Sequence, residues 1–236
     1  MEFALSALQA AVQQLARKFA EERVAPLARE MDERGAMPLS LIAEMAALGL
    51  LGGPLPAEHG GGAWDKVSAA LCYEELGRVD SSVRGFMTVH SSLVAQCIQQ
   101  WGSAEQRRQH LPQLNSAKSI GCYCLTEPNA GSDAASMEAS AVRDGAGYRL
   151  NGDKIWITNG GIAHLAIVFA SIDRSLRHKG VCAFIVPTSA SGFESHPPAA
   201  QTGAAPAQTP HSNPGTPAPR QPHQRPPLSA RGQAQT

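Results

Sequence analysis

Apolar residues return at helical spacing through the first half of the chain. Leu5, Leu8, Val12, Leu15 and Phe19 follow steps of 3, 4, 3 and 4, which lays one apolar stripe along a helix. Val24, Leu27 and Met31 resume the stripe after a slip of five. Pro26 stands beside the slip; it lacks an amide donor and crowds the preceding turn, so a kink is predicted there. Pro38 opens a second helix, closed by Gly49 or Gly52, and residues 54–62 read as a loop. From Ser81 onward, Val83, Met87, His90, Val94, Cys97 and Trp101 trace a longer helix that Gly102 ends. His90 falls on its apolar stripe and reads as a satisfied core histidine. Ser103 and Gln106 fit a capping box for the next helix.

Past residue 118 the period changes. Residues 120–125 are short and apolar, 137–142 alternate, and Asp144-Gly145-Ala146-Gly147 turns the chain. Asn151-Gly152 is the strongest short hairpin signal, because both central residues tolerate positive φ, and residues 154–158 are predicted to return as a strand. Residues 165–170 and 181–186 add two more strands. The expectation is α+β: an all-α helical domain over 1–118, a partial antiparallel β-barrel domain over 119–194, and a tail over 195–236.

That tail has a composition of its own. Residues 196–236 contain ten of the 17 Pro and a single large apolar side chain, Leu228. No packed core can form from it, so disorder is predicted. All 20 acidic residues lie at or before Glu194, while the tail carries three Arg and no acid. The overall net charge is zero, which argues against nucleic acid as a partner. Pro214-x-x-Pro217 and Pro219-x-x-Pro222 fit the minimal polyproline recognition pattern. A non-catalytic protein with a partner-binding tail is therefore the alternative to an enzyme.

Five Cys at irregular spacing do not suggest a disulfide framework. Cys122 and Cys124 share a strand face but have no second ligand pair, so no zinc site is expected. His178 and Cys182 are likewise a lone pair. The N-terminus has no signal-peptide pattern, and no apolar run is long enough to cross a bilayer. A cytoplasmic protein is expected.

Two segments carry chemistry. Cys122-Tyr-Cys-Leu-Thr-Glu-Pro-Asn-Ala-Gly-Ser-Asp133 ends a strand at Pro128 and continues into small residues whose backbone amides can approach a phosphate or a planar ring. Asn151-Gly-Asp-Lys-Ile-Trp-Ile-Thr-Asn-Gly-Gly161 follows. Taken singly, Thr126 and Thr158 fit ordinary strand positions and Trp156 fits a core aromatic. Together the two segments resemble the signatures of the acyl-CoA dehydrogenase family. Weaker matches at residues 48–51, 56–61, 74–77 and 101–106 agree, and the resemblance covers about residues 1–193.

The resemblance implies an FAD enzyme of fatty acid metabolism that dehydrogenates an acyl thioester, carried on CoA or on an acyl carrier protein. It implies that FAD is lined by Tyr123, Cys124, Leu125, Thr126, Gly131, Ser132, Trp156, Ile157 and Thr158. Ser132 would also touch the substrate. It further implies a homo-oligomer and an electron-transfer flavoprotein as acceptor. The family's base is a Glu on a C-terminal helical bundle, which has no counterpart in this sequence, so no catalytic residue is assigned. Read one base out of frame, the codons of residues 200–203 permit a family-like Lys-Leu-Gly. The tail is thus expected to be a frameshifted reading of a longer gene. A chain lacking the bundle is expected to be inactive, poorly soluble and weak in holding FAD, because apolar helix faces would lose cover.

Overall fold

The computed structural model describes residues 4–145, 147–196, 209–212 and 228–229. They form two compact units, the first ending at Ile120 and the second starting at Gly121.

The first unit is helical. Helix α1 (Ala7–Phe19) starts with a reciprocal capping box between Ser6 and Gln9, a signal the sequence contains but periodicity alone passes over. The slip of five after Phe19 is a π turn over Ala20–Val24: the Ala25 amide reaches back five residues to the Ala20 carbonyl. A wider turn holds one extra residue, so Phe19 and Val24 both stay on the buried face. Pro26 then sits in a 3-10 turn, Ala25–Leu27, before α2 (Ala28–Arg34). Pro38 is the cap of α3 (Leu39–Ala47) rather than its first residue, and Gly49 beyond it takes φ 73°.

Helix α4 (Lys66–Val79) packs along α1. Arg17 donates to both carboxylate oxygens of buried Glu75, at 3.1 and 2.6 Å, across that contact. The arginine holds the Glu75 carboxyl below its usual range, against the opposing effect of burial.

The long helix is α5 (Ser81–Met87), a π segment (Thr88–Ala95) and α6 (Gln96–Trp101). The π segment moves the inward face by one position. Ile98 is buried in place of Cys97, and Trp101 is 40% exposed. The predicted stripe therefore holds through Val94 and fails at its last two positions. Helix α7 (Ala104–Asn115) begins with the expected Ser103–Gln106 box.

The second unit is a curled sheet. Strands β2 (Ser140–Asp144) and β3 (Gly147–Asp153) form an antiparallel hairpin, as do β4 (Leu165–Ser171) and β5 (Val181–Pro187). Strand β1 (Gly121–Cys124) runs parallel to β4, and Ser140 pairs in parallel with Ser171. The sheet is thus mixed. The first motif's loop and the β2–β3 hairpin lie between β1 and β4 in sequence, a connection long enough to return the chain in the same direction.

The hairpin expected at Asn151-Gly152 is not formed. Both residues lie inside β3, where Asn151 faces Ser140, and residues 154–158 are not a strand. The turn is at Gly145, with φ 57°. Gly152 is instead needed for close approach: at φ 148°, a Cβ placed there would lie 2.6 Å from the Ala139 Cα.

Strand β6 (Phe193–His196) follows β5. From the tail, β7 (Thr209–Ser212) pairs with β3 and β6, and β8 (Leu228–Ser229) pairs with β5. The rest of the tail, including both Pro-x-x-Pro segments, lies outside the described residues. Among those described, no helix is long and apolar enough to cross a membrane.

Candidate functional site

The two motifs of the second unit meet at one place. Strand β1 delivers Leu125 and Thr126, and the end of β3 delivers Lys154 and Ile155. The Ile155 amide donates to the Thr126 carbonyl at 2.9 Å. The Lys154 ammonium donates to the Leu125 carbonyl at 3.0 Å and to Glu127 Oε1 at 2.6 Å. Glu127 also accepts from the amides of Glu138 and Ala139, at 2.5 and 3.0 Å. Both charged side chains are at most 3% exposed. Burial pushes the Lys154 pKa down, and its bond to Glu127 opposes that shift. Beyond Glu127, mutual bonds between its backbone and that of Ala130 close a tight turn.

Trp156 follows directly, with φ 59° and 62% exposure. A bulky residue at positive φ costs about 1–2 kcal/mol and persists only when its surroundings hold it there. They do so on both sides. Lys154 and Ile155 are anchored before it. After it, Ile157 is buried against Cys122, Cys124 and Ala166. Asn159, itself at φ 67°, donates from its side-chain amide to the Gly121 carbonyl at 3.2 Å. Trp156 is therefore not the ordinary core aromatic that a single-residue reading allows.

The other residues named from the sequence divide by environment. Cys124 and Ile157 point their side chains into the interior and offer a ligand only backbone. The Cys122 and Cys124 sulfurs lie 3.7 Å apart. That contact and burial raise the Cys124 pKa, so it stays a thiol. Tyr123 lies on the other face of β1, tilted against Phe169 with ring centroids 4.9 Å apart. Leu125, Thr126 and Thr158 are half-buried, while Gly131 and Ser132 are exposed. Asp133 ends this stretch with an ion pair to Arg177 at 3.6 Å.

Glu127 and Lys154 were not singled out from sequence. The usable signal is Lys154, the one basic residue in either motif, together with Glu127 inside the first.

The arrangement suits a planar, polar ligand. It presents an exposed indole, an open glycine-serine backbone with nothing within 4 Å of a Cβ placed on Gly131, and two half-buried threonine hydroxyls. Among the described residues neither hydroxyl has a hydrogen-bond partner, which leaves both free to bond a ligand edge. No group of three or more metal-ligating side chains occurs among the described residues. In the helical unit, a groove of about 320 Å³ between α1 and residues 48–64 contains none of these residues.

Residues 6–118 match the family model of the acyl-CoA dehydrogenase N-terminal domain, and residues 122–212 that of the middle domain. The short-chain specific acyl-CoA dehydrogenase of Clostridium acetobutylicum is 39% identical over 193 residues, 82% of this chain and 51% of that protein. The butyryl-CoA dehydrogenase structure from Megasphaera elsdenii superposes with TM-score 0.87 at 34% identity, covering 93% of this chain and 59% of that one. A glutaryl-CoA dehydrogenase from Mycobacterium smegmatis, solved in complex with FADH2, gives 0.85 at 33% identity, covering 92% and 55%. The chain thus spans about half the length of the curated relatives it matches. It belongs to the acyl-CoA dehydrogenase family.

Proposed function

We propose that this chain is the flavin-binding portion of an FAD-dependent acyl-CoA dehydrogenase. The observation that carries the reading is the junction of the two motifs, where the segments that leave β1 and β3 are tied together by the Ile155–Thr126 and Lys154–Leu125 hydrogen bonds and carry exposed Trp156, the Thr126 and Thr158 hydroxyls and the Gly131-Ser132 backbone. FAD, when bound, accepts the hydride that leaves the β carbon of the acyl group. The chain's residues bind and orient it. Tyr123, Leu125, Thr126 and the backbone of Cys124 would line one edge of it, Gly131 and Ser132 would offer amides to its phosphates, and Trp156 and Thr158 would hold the ring, with Ile157 supporting them from the interior. Ser132 also faces the thioester substrate.

Abstraction of the α proton needs a carboxylate within hydrogen-bond reach. The Glu base that the family resemblance implies has no counterpart among these 236 residues. The chain by itself is proposed to hold FAD weakly and to turn over no acyl-CoA. The division into 1–118, 119–194 and 195–236 belongs to this reading. So do an acyl-CoA or acyl carrier protein thioester as substrate, an electron-transfer flavoprotein as acceptor, a homo-oligomeric whole protein and a cytoplasmic location.

The test is an FAD titration of the full chain, followed by quenching of flavin fluorescence, with a dye-linked assay on acyl-CoA. Saturable quenching without turnover supports the proposal. Absence of quenching removes the flavin reading, and turnover removes the claim of inactivity.

A further inference from the structure

The Glu127–Lys154 pair is an unusual way to fill a small core. Two apolar side chains of the same volume would serve stability as well or better, because withdrawing two charges from water costs more than their attraction commonly returns. The pair is nevertheless almost fully enclosed, and each of its bonds joins one motif to the other or to the segment that leads into β2. Lys154 holds the Leu125 carbonyl, Glu127 holds the Glu138 and Ala139 amides just before β2, and Ile155 holds Thr126 between them. Two residues after Lys154 comes Trp156, at a φ that no local preference of an aromatic residue supports.

The geometry points to Glu127 and Lys154 as positioning residues: a buried ionic clamp that fixes Trp156 and Thr126 relative to each other as one platform for the flavin ring. The inference rests on the flavin reading above for the ligand, but not for the clamp itself. Neither side chain reaches the ligand surface, so the clamp acts through Trp156 and Thr126. An apolar pair could fill the same space without choosing a register between the two loops. The ionic pair selects one, since any slip leaves a charge buried without its partner.

The experiment compares the full chain with the double variant Glu127→Gln/Lys154→Met, which removes both charges together and so avoids an orphaned ion. The Trp156 contribution to fluorescence is isolated by subtracting the Trp156→Phe version of each chain. The clamp predicts that the double variant melts within a few degrees of the parent while the residual anisotropy of Trp156 falls by about half, and that its Kd for FAD rises roughly tenfold, as expected when a preorganised site loosens. Unchanged anisotropy at unchanged stability overturns the clamp. Unchanged FAD affinity with lowered anisotropy overturns its role toward the flavin. If the parent chain binds no FAD, the flavin reading fails and anisotropy alone still decides the clamp. If that double variant does not fold, Glu127→Gln/Lys154→Gln replaces it, which also removes both charges but keeps a hydrogen-bonding side chain at each position. The same two readouts then apply, and parent-like values overturn the proposal.

Discussion

His90 in the long helix bonds the carbonyl of Leu114 in α7 through Nε2, at 3.0 Å, with its ring stacked on Phe86. A carbonyl only accepts, so Nε2 carries the proton. The residue is fully buried, and burial pulls its pKa down to about 4, against the opposing effect of the Leu114 carbonyl. It is thus a structural tie between helices, as its place on the apolar stripe suggested.

The tie has a pH signature. The folded pKa lies below the ordinary histidine value of 6.5, so the unfolded chain binds more protons between about pH 4 and 6.5. His90 therefore contributes its stability in full above about pH 6.5 and loses it as pH falls through about 4, a change on the order of 3 kcal/mol. Urea melts at stepped pH should show this slope, and His90→Asn should flatten it.

Breaking the buried ion pair one side at a time should be far worse than removing both. Lys154→Met leaves Glu127 charged and enclosed, and such losses cost about 3–5 kcal/mol. Denaturant melts of the single and double variants should show strong non-additivity. A double-variant loss equal to the sum of the two single losses would mean that the charges are not coupled.

Trp156 should matter for binding and not for stability. It is mostly exposed and held at positive φ, so Trp156→Ala should change the unfolding free energy by no more than about 0.5–1 kcal/mol. FAD affinity should fall markedly in the same variant, read by flavin fluorescence.

Gly152→Ala tests the close approach inside β3. The added methyl would meet the Ala139 backbone at a φ that L residues rarely adopt. A loss of about 1–3 kcal/mol is expected. A neutral outcome would show that Ala139 can move away from β3 at no cost.

Thiol reactivity should follow burial. The Cys72 pKa is pushed up to about 12 by burial, and Cys122 and Cys124 are fully enclosed. Cys97, on the face that the π segment turns partly outward, should be modified by an aromatic disulfide reagent before these three. Mass spectrometry of the labelled peptides gives the order.

Much of this could be read from residues alone. A run of local signals along one helix face places α1, the Ser103–Gln106 cap and the stripe through Val94, because helical spacing and end-capping depend on neighbours three to five residues apart. The two motifs likewise identify the family, since their residue types stand in order along the chain. What needed the fold was every relationship set by distant partners. The inward turn of Ile98 depends on a π segment that no local preference announces. The placement of Asn151-Gly152 inside a strand depends on Ala139 lying against Gly152, which overrides a strong turn signal. The pairing of Glu127 with Lys154, 27 residues apart, depends on β1 and β3 bringing their ends together. Local sequence specifies conformation where the deciding atoms are near in the chain; burial and charge pairing are decided by atoms that only tertiary packing makes neighbours.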